Sequence, residues 1–351
     1  MIAGALRPCR VSIVIKALNE EANICAAVES CLEALADVGG EVILADSLST
    51  DRTVELASRY PIRIVQLTDP AHRSCGVGPQ LGWQHARGEY VYIMDGDMKM
   101  LPGFLEQALS FLAQHPEVAG VGGRVVELNL ESMEYRERTA RAAPHLAPGH
   151  VDRLDSGGLY RRRAIEEAGY FSDRNLHSYE EYDLGSRLRA HGWKLFRIPV
   201  DAATHFGHDS PPYRLMVRRW RTRYACGPGE LLRAAASGPH RKLVLREVRE
   251  LRLYAAVLLW WLTLLTVPFW PLSPAGRIAA FAALAAAPLV MMTWRKRSLE
   301  RGVYSVTSWC VNTAAMVRGW FAARVPPREF IPSRIIKEAA TAAREGQEYC
   351  S

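Results

Sequence analysis

Four short apolar runs, at residues 11–15, 41–46, 62–67 and 90–95, constrain this chain more than any other feature. They are rich in Val, Ile and Leu and too short for helices, so they read as buried strands. Residues 19–36 and 50–60 have helical spacing, and a glycine-containing helical interlude precedes residue 90. Asn19 is a plausible helix N-cap, with Glu20 and Glu21 at the positive end of the helix dipole. Strands alternating with helices through short connections predict an α/β fold, a Rossmann-like and mostly parallel sheet with helices on both faces. Ligands of such sheets bind at the carboxyl ends of the strands. Asp46 and Asp95 close two of the runs there. Residues 118–128 and 157–160 read as further strands and 131–152 as a loop. Residues 178–191 read as a helix, acidic at its start (Glu180, Glu181, Asp183) and basic later (Arg187, Arg189).

Beyond residue 253 the character changes. Residues 253–272 are uncharged, long enough to cross a bilayer core, and residues 275–294 follow after Pro271-Leu-Ser-Pro274. A pair of core helices would share this pattern. Residues 303–323 form a weaker third segment, carrying Asn312 and Arg318, that reads as interfacial or spanning. Arginines crowd before the first span and Arg295-Lys-Arg297 follows the second, so both ends of the hairpin are expected in the cytoplasm. Residues 214–252 hold eleven Lys and Arg against three Glu, more than the whole net charge of +7. Next to apolar spans, that block points to membrane lipids and a lipid phosphate, not to nucleic acid. Seven cysteines without a CxxC pair suggest neither zinc nor a disulfide framework, and suit a reducing cytosolic face. Residues 1–9 are too short for an apolar signal core, so no signal peptide is expected.

The sharpest chemical motif is Asp95-Gly96-Asp97, two acids at the tip of the apolar run Val91-Tyr-Ile-Met94. A bare Asp-x-Asp is commonly a solvated turn. After a buried strand it becomes a candidate site for Mg²⁺ or Mn²⁺, whose hard-oxygen preference lets carboxylates and a diphosphate share the ion. Gly76-Val-Gly78 lacks the spacing of a dinucleotide-binding loop.

Four segments, VSIVIKALNEEANI (11–24), ADSLSTDRT (45–53), ARGEYVYIMDGDM (86–98) and EEYDLGSRLRAHGW (180–193), occur in an order and spacing that resembles the family-2 glycosyltransferases of the GT-A fold. The likeness covers roughly residues 10–230. It implies that Asn19, Glu20, Asp46, Arg73 and Asp95 bind the nucleotide-sugar. It also implies that Asp97, with Asp95 and His205, holds the metal; His208 is a second histidine in that region. The family often carries Pro-x-Tyr-Asn-Glu where this chain has Lys16-Ala17-Leu18-Asn19-Glu20. The catalytic base, an aspartate of a Glu-Asp pair in the family, aligns with Glu181, and Glu180 and Asp183 are its rivals. Asp183 could instead anchor arginines of its own helix. Processive members carry Gln-x-x-Arg-Trp, and Met216 stands in the glutamine's place, so single-sugar transfer is expected. The run Arg218-Arg219-Trp220-Arg221-Thr-Arg223 resembles that of exopolysaccharide transferases, and implies phosphate contacts to a polyprenyl-linked acceptor or to lipid head groups.

The expected organisation is a GT-A catalytic domain (1–230), a basic interfacial linker (231–252), membrane segments (253–323) forming a transmembrane helical hairpin, and a cytoplasmic or flexible tail (324–351). The expected function is inverting transfer of one sugar, from a UDP- or GDP-sugar, to a lipid-linked saccharide in polysaccharide synthesis at the cytoplasmic face of the inner membrane. Two alternatives stand beside it, a polyisoprenyl-phosphate glycosyltransferase and a non-catalytic nucleotide-sugar-binding membrane protein.

Overall fold

The computed structural model describes residues 9–128, 144–206 and 211–339. Two compact units form, one from Met1–Asp209 with Arg324–Ser351 and one from Ser210–Ala323. The first unit is built on a ten-stranded sheet. Strands β1 (Val11–Ala17), β2 (Gly40–Asp46), β3 (Arg63–Leu67) and β4 (Tyr90–Asp95) are mutually parallel, in the order β3-β2-β1-β4. Their side chains are almost wholly buried, as strands covered on both faces must be.

The rest of the sheet departs from the expected parallel pattern. Strands β5 (Met98–Met100), β6 (Val118–Glu127), β7 (Gly149–Val151), β8 (Gly158–Arg161) and β9 (Lys194–His205) extend it, and only the β6–β9 pair there is parallel. The sheet is therefore mixed. Strand β8 enters beside β4 in the antiparallel sense, which periodicity alone does not reveal. A further strand, β10 (Ser333–Lys337), lies within the segment expected to be a tail and pairs antiparallel with β3.

Helix α1 (Ile24–Leu35) begins at Ile24, not at Asn19 as its spacing suggested, and its N-cap is Asn23. Helices α2 (Thr53–Ala57), α3 (Val77–His85), α4 (Phe104–Gln114), α5 (Arg162–Ala168) and α6 (Glu180–Ala190) complete this unit. Two apolar layers cover the sheet's two faces. One gathers Ile13, Ile15, Val28, Leu44 and Phe104, the other Val14, Ile43, Val65, Leu81 and Ile165. The alternation of Ile13 and Ile15 with Val14 is the period-two pattern of one strand serving both layers.

The second unit is helical: α7 (Pro212–Arg221), α8 (Gly227–Ala235), α9 (Arg241–Glu247), α10 (Glu250–Thr266), α11 (Pro274–Lys296) and α12 (Leu299–Trp320). It takes in residues 210–230, which sequence reading assigned to the catalytic domain. The cause is close backbone packing. A Cβ on Gly229 would stand 1.8 Å from the Met316 carbonyl oxygen, and one on Gly319 2.3 Å from that of Cys226, so only glycine lets α8 and the Tyr224–Cys226 turn approach α12. The residue spans 250–269 and 274–296 are long and apolar enough to cross a membrane by length and composition. Only 17% and 6% of their apolar windows are buried within the chain, which sets them apart from soluble core helices. The third segment is a helix with Gly302, Thr313, Ala315, Met316 and Gly319 buried.

Candidate active site

Loops after β1 and β2, and those that lead into β8 and α6, have unusual backbone. Asn19, Leu48, Asp155 and Tyr179 all have positive φ (61°, 64°, 47° and 69°), at a cost of roughly 1–3 kcal/mol each that tertiary contacts must offset. Asn19 follows β1 and does not cap α1. Its amide N–H donates to Ser49 Oγ (2.9 Å) and its Oδ1 accepts from the Thr50 amide (2.8 Å), tying the β1 loop to the β2 loop. The Glu20 N–H donates to Thr53 Oγ1 (2.7 Å). The Glu20 side chain lies against Gly96, where a Cβ would come within 2.9 Å of its Cγ. That explains the glycine between the two acids. Burial and the nearby Asp97 charge push the Glu20 carboxyl up to about 7.

Asp46, fully buried, accepts from the Ser49 amide (3.3 and 3.1 Å) and from Gln66 Nε2 (2.7 Å). Arg73 donates to the carbonyls of Ser47 (2.8 Å) and Leu48, so it holds the loop that follows Asp46. Asp51 accepts from the Thr53 amide (3.0 Å) and acts at the start of α2.

The centre of the site is a residue to which the sequence assigned no role. Lys16 is the parallel-register neighbour of Asp95, and its Nζ lies 2.9 Å from Asp95 Oδ1, 3.7 Å from Glu181 and 4.0 Å from Glu180. Burial lowers the Lys16 pKa, but these three carboxylates raise it well above its ordinary value. Burial pushes Asp95 up; the Lys16 charge and a hydrogen bond from Ser156 outweigh it, leaving Asp95 below its usual value. Lys16, Asp155, Ser156, Tyr160, Glu180 and Glu181 line a small hollow at this edge. The one sign of Lys16 in the sequence was that a lysine replaces the proline common after such a strand.

Both acids at the start of α6 are raised by burial, Glu180 further by Glu181, with Lys16 opposing in each case. Glu181 has 29% of its side chain exposed and Glu180 9%, so Glu181 is the more open to an incoming molecule. Asp183 faces the other way. It is wholly buried and accepts from Arg187 Nε at 2.7 Å, and Arg187 also donates to the carbonyls of Ala168, Tyr170 and Phe171. It anchors its own helix.

Asp97 lies on the opposite side of Gly96. Its Oδ2 is 3.4 Å from His205 Nε2, and His205 Nδ1 is 2.6 Å from Glu127 Oε2. Sheet register makes this triad: His205 pairs with Met98 across β5–β9 and with Glu127 across β6–β9. Burial lowers the His205 pKa, but hydrogen bonds to Asp97 and Glu127 and their charges lift it to about 9. Among the described residues no set of three or more His, Cys, Asp or Glu is arranged to hold a metal ion. The three expected ligands are thus divided, since Asp95 is paired with Lys16. Asp97 nonetheless has a buried Oδ1 without a hydrogen-bond partner. A carboxylate with an orphaned oxygen beside an imidazole fits a divalent cation whose other ligands come from a phosphate or water. His208 lies outside the described residues.

The basic run belongs to the helical unit. Arg218 and Arg221 line a surface hollow on α7 with Tyr213, Arg214, Val217 and Thr222. Arg219 stacks on Tyr224 (5.3 Å) and Trp220 carries the Arg318 guanidinium (5.5 Å). Arg223, in left-handed backbone (φ 62°), starts the Tyr224–Cys226 turn. The run thus splits, with two arginines in the hollow and Arg219 and Trp220 in ring contacts.

Such a sheet, with acids gathered at the carboxyl edge of its parallel strands, is of the GT-A-like α/β class. Residues 12–169 match the model of Glycosyl transferase family 2. Over 155 residues it is 28% identical to a probable glucomannan 4-beta-mannosyltransferase 11 of Arabidopsis thaliana, 41% of this chain and 34% of that protein. Over 201 residues it is 27% identical to the putative glycosyltransferase EpsE of Bacillus subtilis, 54% of this chain and 70% of that one. The chain spans about a third of the length of the plant mannosyltransferases it matches. Among solved structures, the mannosyltransferase PcManGT of Pyrobaculum calidifontis, in complex with GDP-Man and Mn²⁺, superposes with a TM-score of 0.56 over 90% of this chain and 88% of that one, at 20% identity. That likeness supports the fold. Lys16, Asp46, Asp95 and Asp97 fall inside the family match; the acids of α6 and His205 lie beyond it.

Proposed function

We propose that this protein is an inverting glycosyltransferase that moves a single sugar from a UDP- or GDP-sugar to a lipid-linked saccharide acceptor at the cytoplasmic face of a membrane, in the synthesis of a cell-surface or extracellular polysaccharide. One observation carries the transfer chemistry. Lys16 draws together Asp95, on the donor side, and the acid pair of α6, on the acceptor side, within 4.0 Å of one ammonium. The nucleotide lies over Asn19, Asp46 and the loop held by Arg73, and the diphosphate near Asp97. Asp97 and His205 would hold Mg²⁺ or Mn²⁺, which neutralises diphosphate charge as the leaving group departs.

Glu181 takes the proton from the acceptor hydroxyl as that oxygen attacks the anomeric carbon, and the electron pair of the breaking bond leaves with the nucleoside diphosphate. Its raised pKa makes it a stronger base than an ordinary carboxylate. Glu180, less exposed, stands 4.0 Å from Lys16 and helps to hold it. The apolar helices and the arginine-lined hollow of α7 support a membrane-borne, phosphate-containing acceptor. The fit of PcManGT and the mannosyltransferase relatives makes a GDP-sugar the first donor to try.

The test is incubation of membranes containing the protein with a panel of labelled sugar nucleotides and Mn²⁺, following label into extracted lipid. Label in lipid with the native protein and none with Asp97→Ala is expected. Unchanged turnover in that variant sinks the reading. A labelled product whose mass is one sugar on a polyisoprenyl phosphate would reassign the acceptor.

A further inference from the structure

The strand β10 comes from beyond the helical unit in sequence, yet it forms the edge of the catalytic sheet beside β3. Its register puts Arg334 opposite Gln66, and Gln66 in turn lies opposite Asp46 on β2. The side chains follow this path. Arg334 donates through Nε (2.9 Å) and Nη2 to Gln66 Oε1, and Gln66 Nε2 donates to Asp46 Oδ2 at 2.7 Å. Arginine can only donate and a carboxylate only accept, so the amide between them has one consistent orientation. The rotated amide would set its oxygen against the Asp46 carboxylate and its NH2 against the guanidinium, so Arg334 and Asp46 select the same orientation from opposite sides. Asp46 and Gln66 are buried and Arg334 is exposed, so the relay runs from the surface into the nucleotide side of the site.

We propose that Arg334 is a positioning residue for donor binding: through Gln66 it sets the orientation of Asp46, so the carboxy-terminal strand completes the nucleotide site. This rests on the reading of Asp46 as a nucleotide-binding residue. The relay is separable from the seating of the strand. Lys337 Nζ donates to the carbonyls of Ser58 (2.6 Å) and Tyr60 (2.7 Å), and Gln84 bonds both the N–H and the carbonyl of Ile331 (3.0 and 2.9 Å). These hold the segment whether or not Arg334 is present.

The experiment titrates the purified full chain with UDP and with GDP in the presence of Mn²⁺, alongside steady-state kinetics. Arg334→Ala should weaken nucleotide binding and raise the donor KM by about tenfold, as loss of a charge-assisted hydrogen-bond chain implies, with kcat at saturating donor unchanged. Arg334→Lys should recover part of the loss. Gln66→Ala should match it, and the double variant should be no worse than either single one. Lys337→Ala should lower the melting temperature and leave the donor KM in place. Weaker binding in Asp46→Ala with native binding in Arg334→Ala overturns the relay, as does full additivity of the Arg334 and Gln66 changes. Native binding in Asp46→Ala overturns the nucleotide-site reading instead.

Discussion

At the residue scale, two of the three acids of α6 that stand as candidate bases separate into different roles. Glu181 faces the hollow and Lys16, whereas Asp183 is spent on Arg187. Glu181→Gln should lower kcat by about 10²–10⁴-fold, the range for losing a general base, with the melting temperature kept. Asp183→Ala should act the other way. It strands a buried guanidinium, at a cost of about 3–5 kcal/mol, and is read as loss of folded protein in thermal melts. Because burial raises Glu181 and the base works deprotonated, activity should rise with pH through a value above the ordinary carboxylate range. Lys16 opposes that shift, so Lys16→Met should move the acid limb of the kcat profile to higher pH; an unmoved limb argues against Glu181 as the titrating group.

At the scale of elements, the backbone contact of α8 with α12 depends on Gly229. A Cβ there would meet the Met316 carbonyl at 1.8 Å, an atom that cannot rotate away. Gly229→Ala should therefore destabilise the helical unit by about 1–3 kcal/mol, the usual range for overpacking, seen as earlier thermal unfolding of detergent-solubilised protein. The loops after β1 and β2 are also held at the scale of elements. Asn19 and Arg73 use their polar groups to hold neighbouring backbone, so their removal should disturb the loops that present Asp46. The strands β1 to β4 were legible because each is a self-contained apolar run. Strand β9, twelve residues long, was not, because Arg197, Asp201 and His205 interrupt its pattern. Arg197 is buried yet donates to the carbonyls of His145, Gly123 and Leu154, partners far away in sequence.

At the scale of the whole molecule, one chain combines a stretch that matches the Glycosyl transferase family 2 model with two long apolar helices whose surfaces are mostly uncovered. Leu259, Leu262, Leu265, Ile278 and Val290 are all exposed, an arrangement that water penalises by about 25 cal/mol per Å² of apolar surface. The protein should stay in the membrane pellet after alkaline carbonate washing and need detergent for release. Recovery in the wash would assign these helices to another cover.

The sequence by itself determined the α/β alternation, the acids at the strand tips and the two long apolar helices, because each is written in local periodicity or in a run of one chemical type. It placed Asp95, Asp97, Glu180, Glu181 and His205 as candidates, but not which of them meet. Only the tertiary structure decided that Asp95 pairs with Lys16, that His205 stands between Asp97 and Glu127, and that the mixed sheet closes on a strand bearing Arg334. The physical reason is register. Which side chains touch across a sheet depends on how distant strands align and in which sense, and no local pattern encodes that choice.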